Sequence, residues 1–245
     1  MCQKHVMNLF KQAVVTFPYR KSISSEIFNK NLEKLKSLMD QLTKEHVNLD
    51  EKLLQRSDFK TPCTYIQIYE DFNINISIFI VHPGHKLPLH DHPQMHGLLK
   101  VIAGTFKIQA YSEDHEETLK LNDKSDNETE QPEDFSVKKV VAKKLDVLLC
   151  DENSECCILT PGDGNYHEIE PVNGSAAFLD ILSPPYDAFI EEFGQRDCTY
   201  YKEESEIKPN LVQLTQIRQP AWFWCDTAQY SGPLLSLTEE NTISQ

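Results

Sequence analysis

Three of the chain's nine histidines fall within LPLHDHPQMH, residues 87–96. His90 and His92 stand two positions apart. In an extended segment that spacing puts both imidazoles on one face, where they form a natural chelate for a divalent metal. His96 has the same parity, but Pro93 interrupts the strand, since it lacks an amide donor and disturbs register. The competing reading is a surface cluster of polar residues. That reading suits the isolated His5, His46 and His115, which are expected to be structural or exposed. His82 and His85 flank Pro83-Gly84, where an exposed turn residue needs no special explanation. A site of three neutral imidazoles would leave a divalent metal its full charge, without the internal anion of a two-histidine-one-carboxylate site. Its open positions would suit iron(II) with an anionic thiolate and dioxygen brought side by side, or zinc with a hydrolytic water.

The elements that must position these side chains are mostly strands. TYIQIYE and NINISIFIV, after residue 63, alternate apolar and polar residues with the two-residue period of strands. LLKVIAGTFKIQAYS, FSVKKVVAKK, DVLLC, CCILTP, HEIEPV and AAFLDILSPP follow as further candidates. Turns are expected at Pro83-Gly84, Ala103-Gly104, Pro161-Gly162 and Asn173-Gly174. Many short strands separated by frequent turns argue for a barrel or jelly roll. The first 50 residues read instead as helical: Phe28, Leu32, Leu35, Met39 and Leu42 recur at three- and four-residue steps, and Ser24 and Ser25 offer N-caps. AWFWCD is expected to form an aromatic strand on the outside of the barrel. The expected division is a helical segment over 1–55 packed on the barrel, a barrel domain over 56–232, and a disordered tail over 233–245.

At 245 residues, 40% apolar and 25% charged, the chain has the composition of an ordinary soluble globular protein. Its net charge of −14 argues against sequence-tolerant nucleic-acid binding, which needs a basic surface. Residues 113–134 hold ten acids against two lysines and are expected to form a solvated loop with a mobile tip. No apolar stretch is long enough to span a bilayer, and the N-terminus lacks the apolar core of a signal peptide. Seven cysteines without C-x-x-C spacing suit free thiols in a reducing compartment, the cytoplasm or nucleus. Nothing requires more than a monomer.

The run from Gly84 through His90 and His92 to Gly104 resembles the first motif of the cupin superfamily, whose members are double-stranded β-helix (jelly-roll) barrels. Cupins commonly follow H-x-H with three or four residues and then a glutamate ligand; here that place falls on His96 or Gly97. The second motif ends G-x-x-H, which Gly164-Asn165-Tyr166-His167 supplies. The third ligand is therefore contested between His96 and His167. A barrel brings a ligand from a second, distant strand, and the expected set is His90, His92 and His167. His96 becomes a residue behind the ligands or a structural one.

LPLHDHPQMHGLLKVIAG, LTPGDGNYHEIEPVNGSAAFLDILSPPYD and RDCTYY together resemble the thiol dioxygenase family of cysteamine (2-aminoethanethiol) dioxygenase and the plant cysteine oxidases, over about residues 60–230. The late FWCDTAQYSGP fits the animal branch. The resemblance implies Fe(2+) on the three histidines and oxidation of a thiol by both atoms of dioxygen to a sulfinic acid. The implied substrates are cysteamine, which would give hypotaurine, and peptides or proteins with an N-terminal cysteine, a route to oxygen sensing through degradation. It places Asp180 at the cavity mouth to hold the substrate ammonium, beside Tyr186, and matches Cys198 and Tyr200 to a thioether cross-link. For Asp180 the residue-level alternative is an acid satisfied by backbone amides, and for Tyr186 core packing. The chain's own Met1-Cys2 start could expose a cysteine of the substrate type. A zinc or manganese cupin isomerase or hydrolase, and a non-catalytic binding cupin, are the competing functions.

Overall fold

The structure is a computed structural model and describes residues 2–18, 23–55, 60–125, 137–188, 194 and 196–236. Helix α1 (Cys2–Thr16) buries Val6, Leu9, Phe10 and Ala13, the three- and four-residue repeat of one helical face. Helix α2 (Ser25–Asp40) starts at Ser24, whose side chain accepts a hydrogen bond from the Ile27 amide, and buries Leu35 and Met39. A short helix, α3 (Glu51–Leu54), precedes the strands. The expected tail lies partly beyond view, because residues 237–245 fall outside the described residues.

The strands are β1 (Cys63–Glu70), β2 (Asn75–Val81), β3 (Leu87–Asp91) and β4 (His96–Glu113), then helix α4 (His115–Ser125). They continue as β5 (Lys139–Lys144), β6 (Leu148–Asp151), β7 (Cys157–Leu159), β8 (Tyr166–Ser183), β9 (Tyr200–Lys208), β10 (Leu211–Ile217) and β11 (Cys225–Thr227). Strand β8 pairs with β2, β3 and β4, and a closed ring of pairings runs β3–β9–β10–β5–β4–β8 and back to β3. This is the expected mainly β double-stranded β-helix with helices at its N-terminus.

The β1–β2–β8–β4 wall is covered on both faces. Ile74, Ile76, Ile78 and Ile80 pack with Leu179, Ile181 and the residues of α1 and α2. Val81, Phe178, Val101 and Phe106 point the other way into a second apolar cluster. A third cluster, with Leu89, Tyr166, Tyr201 and Val212, lies on the β3–β8–β9 face opposite His90 and His167.

Three local expectations are corrected. Ala103-Gly104 and Asn173-Gly174 are not turns between strands. Gly104 (φ +72) and Asn173 (φ 59) sit inside the long strands β4 and β8, where the pairing jumps from Ala103↔Ala177 to Thr105↔Val172. Positive φ serves a bulge as readily as a turn. The acidic stretch is helical over His115–Ser125, since Asp114 accepts from the Glu117 amide and Thr118 Oγ1 bonds the main chain of Val141; residues 126–136 fall outside the described residues. In AWFWCD only Cys225 and Asp226 are strand. They run parallel to β1, with Phe223 buried and Trp222 and Trp224 half exposed.

Candidate metal centre

Strand β3 ends at the chemistry. His90 and His167 stand directly opposite each other in the antiparallel β3–β8 pairing. The adjoining backbone is pinned by Asn165: its side-chain oxygen accepts from the His92 amide at 3.2 Å, and its amide nitrogen donates to the His92 carbonyl at 2.7 Å. On the other side the Asp91 carboxylate accepts from the Thr199 amide at 2.9 Å and the Tyr201 hydroxyl at 3.0 Å, tying β3 to the start of β9. These clamps bring one ligand atom from each of His90, His92 and His167 within 4.8 Å of one another, a group that could hold a metal ion.

The protonation of the three rings suits that use. His90 Nδ1 lies 2.7 Å from the Pro88 carbonyl and His92 Nδ1 lies 2.9 Å from the Tyr186 hydroxyl. A ring that donates through Nδ1 presents the lone pair of Nε2. The Nε2 atoms of His92 and His167 converge to 3.1 Å. Burial brings the His90 imidazole down to about 4, and burial with the neighbouring imidazoles pushes His92 and His167 down as well. All three are neutral, as metal ligation requires.

His96 does not join them. A turn closes with the Met95 amide on the His92 carbonyl, with Gln94 at φ 56, and returns the chain before β4 begins. The His96 ring instead meets Phe28 at 5.0 Å and Phe17 at 6.1 Å, packing the N-terminal helices against the barrel. His82, read from the sequence as an exposed turn residue, is buried and bonded to Thr64 Oγ1 at 2.9 Å. Its ring turns in against Thr64 of β1, while Pro83 and Gly84 of the turn stay exposed. His5 and His46 stack on each other at 4.4 Å, as structural residues.

The three histidines open on a cavity of about 160 Å³ whose other walls include Phe79, Phe178, Leu182 and Phe223. Asp180, Tyr186, Cys198 and Tyr200 also line it. Burial raises the Asp180 carboxyl to about 7, against only one backbone amide that favours its charge. Tyr186 donates to the Asp91 carbonyl at 2.6 Å and is pushed far up by burial, so it stays a phenol. The Cys198 thiol is pushed up to about 12 by burial, with Tyr186 and Tyr200 opposing that rise. Asn165 and Asp91 were not singled out by sequence reasoning, although both lie inside the motifs that supplied the histidines. The side chain of Cys2 falls outside the described residues.

The PCO_ADO family model matches residues 32–235. The 2-aminoethanethiol dioxygenase of Homo sapiens is 34% identical over 84% of this chain and 82% of its own length. That of Mus musculus is 35% identical over 93% and 95%. Plant cysteine oxidase 2 of Arabidopsis thaliana is 28% identical over 85% of this chain and 71% of its own.

Proposed function

The chain belongs to the PCO_ADO family, and on that premise we propose that it is a non-haem iron(II) thiol dioxygenase acting on cysteamine and on N-terminal cysteines. The observation that carries the reading is the convergence of three neutral imidazoles on an apolar cavity that also holds one buried acid. Iron(II) fits this donor set: imidazole suits iron, and the absence of an anionic ligand among the described residues favours an anionic substrate. When bound, the iron supplies the redox chemistry by which dioxygen takes a thiol to a sulfinic acid, a largely irreversible product.

The chain's own residues do the rest. Tyr186 holds the His92 ring in the tautomer that leaves Nε2 free. Phe79, Phe178 and Phe223 exclude water from the cavity. Asp180 holds the ammonium of the substrate, because an acid this buried needs a cation to ionise. Cysteamine and an N-terminal cysteine both present a thiol two carbons from an amine, so one cavity reads both. We assign the peptide as the regulatory substrate, which makes the protein an oxygen sensor acting through degradation. Cys198 and Tyr200 are the pair assigned to a thioether cross-link that adjusts activity. The six described cysteines are free thiols, which supports a cytoplasmic or nuclear setting. Every group invoked comes from one chain, so a monomer suffices.

The test is to purify the chain anaerobically with iron(II), add cysteamine or a peptide beginning Cys-Arg, admit oxygen and weigh the product. A gain of two oxygen atoms is expected, absent in His167→Ala and retained in His96→Gln. No gain from iron-loaded protein with either substrate overturns the reading.

A further inference from the structure

We propose that Cys150 and Cys157 form a redox-active dithiol that peroxide converts into an intramolecular disulfide, a modification site apart from the histidine cavity. The fold builds this pair. Cys150 in β6 and Cys157 in β7 lie on the same edge of β4, opposite Phe106 and Leu99. Between them the chain turns back on Asp151, whose Oδ1 accepts from the amides of Asn153 and Ser154. The two sulfurs are left 3.7 Å apart. A disulfide asks for about 2.05 Å, so the two sulfurs, already in contact, have that gap to close.

Cys156 is not the partner. Strand alternation turns it into the helix-facing cluster, where its thiol donates to the Cys157 carbonyl, whereas Cys150 and Cys157 share the cluster of Phe106 and Phe178. The electrostatics divide the roles. The contact with Cys157 brings the Cys150 thiol down to about 7, against burial and the Asp151 carboxylate, and the Lys100 ammonium adds to the lowering. That ammonium is anchored on the carbonyls of Glu152 and Ser154, in the turn between the two cysteines. Either sulfur can be the donor in this contact; the contact with Cys150 and burial push the Cys157 thiol up. The proposed nucleophile is Cys150, and Cys157 is the thiol that resolves it. Cys150 is only 6% exposed and Cys157 half-buried, with Cys150 next to the 68%-exposed Leu149 in the terminal strand of the sheet, so the oxidant must be as small as hydrogen peroxide.

The reaction balances. The Cys150 thiolate attacks one peroxide oxygen, the O–O bond breaks, and the departing hydroxide takes up the proton Cys150 released. The sulfur of Cys157 then displaces the hydroxyl from the sulfenic acid, and its proton leaves with that hydroxyl as water. Two thiols lose two electrons and two hydrogens, and one peroxide becomes two waters.

The 245-residue chain, held in chelator to exclude iron-driven side reactions, would be exposed to a few equivalents of hydrogen peroxide and then alkylated. Loss of two hydrogens is expected, with the Cys150 and Cys157 peptides joined after cleavage at Glu152 or Glu155 and released by reductant. The bridge persists in Cys156→Ser. In Cys157→Ala it is lost, Cys150 is trapped by dimedone as the sulfenic acid, and its alkylation midpoint moves up from near pH 7. Free, alkylated Cys150 and Cys157 after peroxide, or a bridge that survives in Cys157→Ala, overturns the proposal.

Discussion

The Tyr186 hydroxyl lies 2.9 Å from Nδ1 of His92 and 2.6 Å from the carbonyl oxygen of Asp91. A phenol has one proton to give, and a carbonyl can only accept. The proton therefore goes to Asp91, the phenol oxygen accepts from Nδ1–H, and the His92 tautomer is set before any metal arrives. Tyr186→Phe keeps the ring and removes the bond. Iron(II) affinity and turnover are expected to fall about 10- to 100-fold, measured by chelator competition and initial rates. Unchanged affinity would remove Tyr186 from this role.

The histidines should make the metal-free protein acid-sensitive. His90 is brought down to about 4 by burial, and His92 and His167 are also depressed, whereas in the unfolded chain each titrates near 6.5. As pH falls from about 6.5 through about 4, the unfolded chain takes up protons that the folded chain refuses, so stability declines. Asp180 acts with the opposite sign, because its raised value favours the folded state as pH falls through about 7. A variant with all three histidines changed to Gln isolates their share. The melting temperature of the metal-free wild type is expected to drop more steeply between pH 7 and pH 4 than that of the variant. Parallel profiles would mean that the rings are not buried neutral.

How much of this was legible in the sequence depended on distance along the chain. His90 and His92 could be read from parity alone, a local property of a strand. His167 needed two strands far apart in sequence to pair, and only the G-x-x-H spacing pointed to it. His96 could be set aside through Pro93, although the observed turn at Gln94, rather than a broken ladder, moves it away. Asn165 and Asp91 stayed hidden because their partners, the His92 backbone and the Thr199 amide, arrive only when the barrel closes. Asn173-Gly174 shows the converse. A pair that favours positive φ was read as a turn, and the pairing of β8 with β4 on both sides makes it a bulge instead.

That bulge gives a stability prediction. Gly104 has φ +72, and a Cβ there would lie 2.9 Å from the Cβ of Ala176 and from the Ser175 carbonyl oxygen. A side chain at such a backbone angle costs about 1–3 kcal/mol, and the backbone clash adds to it. Gly104→Ala is expected to lower the melting temperature by about 2–4 °C for each kcal/mol, with iron binding kept in the folded fraction. An unchanged melting temperature would show that the bulge is free to relax.

Asp180 offers the sharpest separation of substrate recognition from structure. Its carboxyl, raised to about 7 by burial, is neutral below that pH and cannot hold an ammonium. KM for cysteamine is therefore expected to rise as pH falls through about 7, approaching tenfold per unit well below it. A hydrogen bond to a charged group contributes about 1.5–3 kcal/mol, so Asp180→Asn should raise KM at pH 8 by about tenfold or more and flatten the pH dependence. Mercaptoethanol has the thiol without the ammonium, and its KM should not respond to the substitution. If both thiols lose affinity equally, Asp180 supports the cavity wall and reads nothing. If only cysteamine and cysteine-initiated peptides lose it, the buried acid is what selects an aminothiol over any other thiol that fits.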